Sequence, residues 1–303
     1  MDKVGICYHP TLADDLGRRL ADELAAIAAR HVAETWTASV WDEEATSGHM
    51  PGTDLVVCVG GDGTILRAAR AVVPHDALLL GVNMGRLGFL TELDARGAVE
   101  RLPDVIAGEG RIEERAMLHA QLITREADHK DDTPARHDAL NDIVIARVTL
   151  GRTVQVSVRV DGTELADIRA DGVIVATATG STAYSLSAGA SILPPESTNL
   201  LLTPLAPHLA SRNSIVLPAE SIVDVELVRG PTVTFSIDGE REMDLGAGEK
   251  VRMGLSPHRA RFVRLGPPGQ FYERLAQRLR WLRPDAVDSH EAARSVLGEE
   301  TPP

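Results

Sequence analysis

The chain has 303 residues, 44% apolar and 25% charged, the composition of a globular protein of about two domains. It holds no apolar run of about 18 residues, which argues against a membrane-spanning helix, and its net charge of −13 argues against nonspecific nucleic-acid binding. The start, MDKVGICYHP, lacks a basic segment followed by an apolar core, and Cys7 and Cys58 both fall in apolar stretches; the expectation is a reduced, cytoplasmic chain without a signal peptide.

Val4 to Tyr8 reads as a first strand, and Leu12, Leu16, Leu20, Leu24 and Ile27 then share one helical face. Val56 to Val59 is a β-branched run with the character of a buried strand. It breaks into Gly60-Gly61-Asp62-Gly63-Thr64, and Ile65 to Val73 reads as a helix. A strand, a glycine turn and a helix start together suit an anion, because glycines let backbone N–H groups approach it and the helix end is positive. Asp62 would repel phosphate there unless it takes a proton or neighbours a metal ion; the plainer alternative is a helix cap. Leu78 to Val82 predicts another strand, followed by a second glycine loop, Asn83 to Thr91 (NMGRLGFLT). Alternating helices and strands predict a parallel α/β sheet with its ligand at the strands' carboxyl ends. An acidic chain must hold an anionic substrate locally, by N–H groups and a few arginines.

Beyond residue 115 the pattern changes. Leu118 to Thr124, Ala139 to Ala146, Thr153 to Val160, Val173 to Thr177, Ser214 to Leu217, Ile222 to Val228, Thr232 to Ile237 and Arg259 to Leu265 read as strands. Asp161-Gly162 and Asp238-Gly239 are hairpin signals, so a mainly antiparallel second domain is expected. Arg125 to Asp138 reads as an exposed excursion. Asp171 to Ser191 runs from an apolar strand into Gly180-Ser181-Thr182-Ala183-Tyr184 and then a small-residue helix, suited to phosphate or ribose, or to plain capping. Phe271, Leu275, Leu279 and Leu282 form a helical stripe expected to pack back, ahead of a polar tail from Pro284. The expected division is residues 1–115 (α/β), 116–268 (β-rich) and 269–303 (helix and tail).

GGDGT at 60–64, NMGRLGFLT at 83–91, LNDIVI at 140–145 and DGVIVATATGSTAYSLSAG at 171–189 occur in this order, and together they closely resemble the NAD kinase (polyphosphate/ATP-NAD kinase) family over roughly residues 1–280. The resemblance implies transfer of a phosphoryl group from ATP, or polyphosphate, to the 2′-hydroxyl of the adenosine ribose of NAD, with a divalent metal ion, expected to be magnesium, and a homodimer or homotetramer. It implies that Asp62 is the catalytic acid–base group, Gly63 helps hold the dinucleotide, and Arg67 faces phosphate. It implies that Asn141 and Asp142 grip a ribose or adenine, Asp171 binds the nicotinamide end, and Thr182, Ala183, Tyr184 and Ser187 line the pocket. Arg152, Arg169 and Glu240 align with more variable ligand-facing positions. Arg169, two residues before Asp171, is expected to act through shape or by holding Asp171, and to go with a preference for NAD over NADH. Ala178 replaces a usual proline, and Gly189-Ala190-Ser191 a usual Gly-Gly-Pro, changes that bear on loop rigidity. A lipid or sugar kinase with the same GGDGT loop would leave TGSTAYS unexplained, and a non-catalytic dinucleotide-binding regulator would be expected to lack Asp62 or a ribose-gripping residue, and neither is lost.

Overall fold

The computed structural model describes residues 1–11, 15–85, 88–124, 136–148, 152–209 and 211–279, with the Arg241 side chain excepted. The chain forms two compact units, Met1–Leu265 and Gly266–Pro303.

The first unit opens with β1 (Lys3–Tyr8), α1 (Leu16–Ala28), β2 (Glu34–Ser39), α2 (Glu43–His49), β3 (Leu55–Val59), α3 (Asp62–Val72), β4 (Leu78–Asn83), a two-residue β5 (Leu93–Asp94) and α4 (Ala95–Ile106). β2, β1, β3 and β4 lie side by side and parallel. β3 is buried along its whole length, as its β-branched run demands of a strand covered on both faces. One face packs Val56, Cys58 and Leu79 against Ile65, Ala68, Ala69 and Val72 of α3. The other packs Val4, Ile6, Val57 and Leu80 against Leu20 and Leu24 of α1 and Leu102 and Val105 of α4. Cys7 and Cys58 face one another across β1 and β3 as free thiols, and burial pushes the Cys7 thiol up to about 12.

The remaining strands are β6 (Arg111–Ile123), β7 (Arg136–Ala139), β8 (Asp142–Arg147), β9 (Val154–Val160), β10 (Thr163–Ala170), β11 (Gly172–Ala176), β12 (Leu200–Leu205), β13 (Ile215–Leu217), β14 (Val223–Arg229), β15 (Val233–Ile237), β16 (Arg241–Leu245) and β17 (Lys250–Arg264), with a single helical turn, α5 (Tyr184–Ser187), between β11 and β12. β17 joins the two regions. It runs antiparallel to β6 over most of its length and parallel to β4 at Arg261 and Phe262. The sheet order is therefore β10-β9-β14-β17-β4-β3-β1-β2. A second, antiparallel sheet, β13-β12-β11-β8-β15-β16, packs on the β-rich half of the first. Val156, Val225 and Met253 from the first sheet meet Ile143, Val175 and Phe235 from the second in one core. An α/β part with a parallel sheet and a mainly antiparallel β part is the fold class the sequence implies.

One expectation is corrected and another made definite. Residues 139–146 are not one strand: β7 pairs with β6 in the first sheet and β8 belongs to the second, so the chain changes sheets at Leu140-Asn141. The helix after TGSTAY is one turn only. Most of the excursion, residues 125–135, lies outside the described residues, as do Arg86, Leu87 and the tail. The second unit contributes α6 (Gln270–Arg278), with Phe271 and Leu275 one turn apart; Leu282 lies outside the described residues.

Candidate functional site

The site forms where β3 and β4 end. β3 runs into Gly60, whose N–H donates to Val82 O at 2.8 Å, so the two loops leave the sheet side by side. α3 then begins with Gly61 at its cap in extended conformation and Asp62 as its first residue. Asp62 is thus not the cap. Its carboxylate turns to the second loop and accepts the N–H groups of Phe89 and Leu90, both at 3.0 Å. Gly88 is a requirement of this contact, since a Cβ there would collide with the Asp62 carboxylate. Asn83 shapes the same loop, accepting Gly85 N–H at 3.1 Å and donating to Gly85 O at 2.6 Å. A Cβ at Gly61 or Gly63 would enter open space.

Arg67, one turn along α3, is engaged by carboxylates. Its guanidinium reaches Glu240 at 3.0 Å and Glu43 at 3.7 Å and lies 4.7 Å from the Trp41 ring centre. Arg70 binds the same Glu240 at 2.7 Å and donates to Ile237 O at 3.1 Å. Arg67 and Glu240, 173 positions apart, are therefore direct partners.

Asn141 and Asp142 sit at the crossing between sheets. A strand that changes sheets leaves backbone N–H groups without ladder partners, and orphaned buried donors are costly. The buried Asp238 carboxylate accepts all three in question: Leu140 at 3.0 Å, Asn141 at 2.7 Å and Asp142 at 3.2 Å. The Asp238-Gly239 hairpin turn thus braces the Asn-Asp pair. The Asn141 side chain makes no hydrogen bond among the described residues. Asp142 is 5% exposed, and burial first, then the nearby Asp238, pushes its carboxyl up to about 7.

The TATGSTAYS segment closes over this crossing. Thr177 donates its hydroxyl to Leu140 O at 2.6 Å, and a Cβ on Gly180 would strike the Asn141 carbonyl. The hydroxyls of Ser181 and Thr182 bond back to Ala178 O (2.6 Å) and Thr179 O (3.0 Å). These hydroxyls build the turn. Thr182 and Ala183 remain half-buried, and Tyr184 and Ser187 are exposed. At the departures from the family pattern, Ala178 is buried with its carbonyl held by Ser181, Ala190 is buried, and the Ser191 N–H donates to the Ser214 hydroxyl at 3.3 Å; Gly189, which keeps the usual glycine, takes φ +84°.

Asp171, Arg169 and Arg152 lie elsewhere. In β11, Ala176 pairs with Asp142, and Gly172 with Ala146 at the other end. At about 3.3 Å per residue, Asp171 is roughly 16 Å from the Asp142 end. Arg169 does not hold Asp171: β10 belongs to one sheet and β11 to the other, and the chain crosses between them. Arg147, at the end of neighbouring β8, holds Asp171 by a two-pronged contact of 2.6 and 2.9 Å. That contact keeps the Asp171 carboxyl below the usual carboxylate range, against a small opposing effect of burial. Arg152 and Arg169 instead line a basin of about 720 Å³, with Arg229 opposite. Among the described residues no group of three or more His, Cys, Asp or Glu is placed to hold a metal ion.

Two family models cover most of the chain: the ATP-NAD kinase N-terminal domain matches residues 3–110, and the ATP-NAD kinase C-terminal domain matches residues 140–265. The chain belongs to the NAD kinase family. As a member of that family it is a phosphotransferase. An NAD kinase of Dehalococcoides mccartyi is 39% identical over 280 residues, covering 92% of this chain and 96% of the relative. An NAD kinase of Chloroflexus aurantiacus is 38% identical over 92% of this chain and 99% of its own. Among solved structures, an Archaeoglobus fulgidus NAD kinase in complex with ATP is similar with a TM-score of 0.68 and 25% identity, over 93% of this chain and all of its own. The yeast NADH kinase complexed with NADH shares the fold, with a TM-score of 0.81 at 24% identity, over 94% and 90% of the two chains.

Against the NAD kinase pattern, the structure gathers Asp62, Gly63, Arg67 and Glu240 around α3. It gathers Asn141, Asp142, Thr182 and Ala183 at the sheet crossing, and sets Arg152, Arg169 and Asp171 apart. Sequence reasoning missed Gly88, Asp238 and Arg147. The LGF stretch and the DG turn were visible signals for the first two, but their partners are remote. Nothing local marks Arg147.

Proposed function

We propose that the chain transfers a phosphoryl group from ATP, or from polyphosphate, to the 2′-hydroxyl of the adenosine ribose of NAD, giving NADP. The observation that carries this reading is the Asp62 carboxylate, fixed between two glycine loops at the carboxyl ends of parallel strands. A ribose hydroxyl is a weak nucleophile at neutral pH. Asp62 takes its proton as it attacks the terminal phosphorus, a contribution of about 10²–10⁴-fold. Gly63 offers an N–H with no acceptor among the described residues, at the positive end of an eleven-residue helix, where phosphate charge is stabilised. Asn141 and Asp142 grip the adenosine ribose or adenine, with Thr182, Ala183, Tyr184 and Ser187 beside them. Arg67 and Glu240 set the phosphate-side wall.

The distant cluster has chemistry for the nicotinamide half of an extended acceptor: Arg152 and Arg169 suit its phosphate and Asp171 its cationic ring. Asp62 is the carboxylate best placed to neighbour a magnesium ion, which would neutralise phosphate charge. Among the described residues no protein cage is built for a metal, and magnesium is an ion that keeps its waters and is held mainly by substrate phosphates. Homo-oligomerisation fits the half-exposed apolar Leu165, Ile215 and Val216 beside an apolar groove of about 410 Å³.

The test is a coupled assay. The protein is incubated with NAD, magnesium and either ATP or polyphosphate, and NADP is detected with an NADP-specific dehydrogenase. NADP formation with one donor identifies that donor; none with either refutes the reading.

A further inference from the structure

The loop that holds Asp62 is itself held from behind by a buried ion network. Arg264 Nη1 donates to Leu90 O at 3.0 Å and Thr91 O at 3.4 Å, and Nη2 to Phe89 O at 3.5 Å. Phe89 and Leu90 are the residues whose N–H groups bind Asp62. Arg264 also pairs with Glu92 at 3.3 Å and with Glu113 at 3.0 Å. Glu113 in turn binds Arg115 at 2.6 Å, and Arg115 donates to the Thr179 hydroxyl at 3.3 Å, in the turn of the TATGSTAYS segment. Glu113, Arg115 and Arg264 are each 4% exposed, and both guanidinium groups lie over the Phe262 ring. Burial alone would raise the Glu113 carboxyl, but Arg115 and Arg264 bring it down to about 2.

A buried ion network is a poor device for stability alone, because apolar residues of the same volume often stabilise as well or better. Here each end of the network meets a loop of the site. We infer that Arg264 is a positioning residue for Asp62, and that the Glu113–Arg115–Thr179 arm ties the dinucleotide-lining turn to the same frame. The network then fixes the distance between the base and the acceptor sugar. This rests on the reading of Asp62 as the base.

The test is a double-mutant cycle between Arg264→Lys and Asp62→Asn, with turnover, KM for NAD and thermal melting measured on the full chain. Lysine keeps the charge but has no planar fork to reach Glu113, Glu92 and the loop carbonyls together. The expected result is a turnover loss of about tenfold or more with KM for NAD changed less than about twofold. That loss should vanish in the Asp62→Asn background, because there is no base left to position. A loss that is as large in the Asp62→Asn background as in the parent overturns the proposal while leaving the base reading intact. Normal turnover in Asp62→Asn alone overturns the base reading and the proposal with it. If Arg264→Lys does not fold, the cycle is run with Glu92→Gln, which loosens Arg264 but leaves the Glu113 pair; about threefold is expected, again only with Asp62 present. Failure of both variants to fold assigns the network to stability and overturns the proposal.

Discussion

The Asp142 side chain is almost fully enclosed, and its carboxyl is raised from 3.8 to about 7 by burial and by Asp238. Between those two pH values the folded chain keeps a proton that the unfolded chain has already lost. Stability therefore falls as pH rises through this window and levels off above about 7. A shift of about 3 units at about 1.4 kcal/mol each makes the ionised carboxylate cost on the order of 4 kcal/mol. Asp142→Asn keeps the shape and removes the titration. The variant should be more stable than the parent at pH 8 by up to about 4 kcal/mol, with about 2 kcal/mol of that difference arising between pH 5 and pH 7. Urea unfolding of both proteins across pH 5–8 measures it, and titrating groups that do not interact with Asp142 cancel in the difference; the neighbouring Asp238 titrates together with Asp142. A stability difference that stays flat across this range would refute the reasoning, since the folded carboxyl would then ionise as easily as the unfolded one. The same residue is expected to grip NAD, so Asp142→Ala should weaken NAD binding by about 1–3 kcal/mol in calorimetry. Unchanged affinity would make the pair structural.

Asp62→Asn should retain NAD binding and lower turnover by about two orders of magnitude or more; near-normal turnover removes it as the base. Gly88→Ala places a methyl against the Asp62 carboxylate and should cut turnover by about 10²-fold with the protein still folded by circular dichroism; a fully active variant would show that the carboxylate need not stay on this loop. Turnover with NAD should exceed that with NADH, and Arg147→Met should narrow the gap more than Arg169→Gly, because Arg147 is the residue that holds Asp171. Equal kinetics for both nucleotides in the parent protein would sink this expectation.

The fold class was legible because its signals are local. The Val56–Val59 run, the glycine turn and the apolar stripe after it lie within about one strand and one helix, and each dictates its neighbour's conformation. Hairpin turns at Asp161-Gly162 and Asp238-Gly239 are equally local, since αL backbone favours those residues; Asp161 and Asp238 do take positive φ. The ordered motifs carried the family in the same way. Residues 139–146 misled because apolar continuity does not reveal a change of sheet. The helix expected after TGSTAY is there but runs for one turn only, because small residues suit a compact turn as well as a helix.

The α/β and β-rich parts, the two glycine loops and the acid between them can all be read from the order of residues. Which side chain holds which cannot. Asp62 is held by Phe89 and Leu90, the Asn141-Asp142 crossing by Asp238, Arg67 by Glu240 and Asp171 by Arg147 rather than Arg169. Those pairings join residues from 24 to 173 positions apart. Along the chain every arginine is a candidate for every carboxylate; sheet order and register bring one of them to 3.0 Å from Glu240 and another to 2.6 Å from Asp171. Arg169 is nearer to Asp171 in sequence, but it lies on β10 of one sheet while Asp171 sits at the crossing into β11 of the other, and electrostatic pairing depends on distance in space.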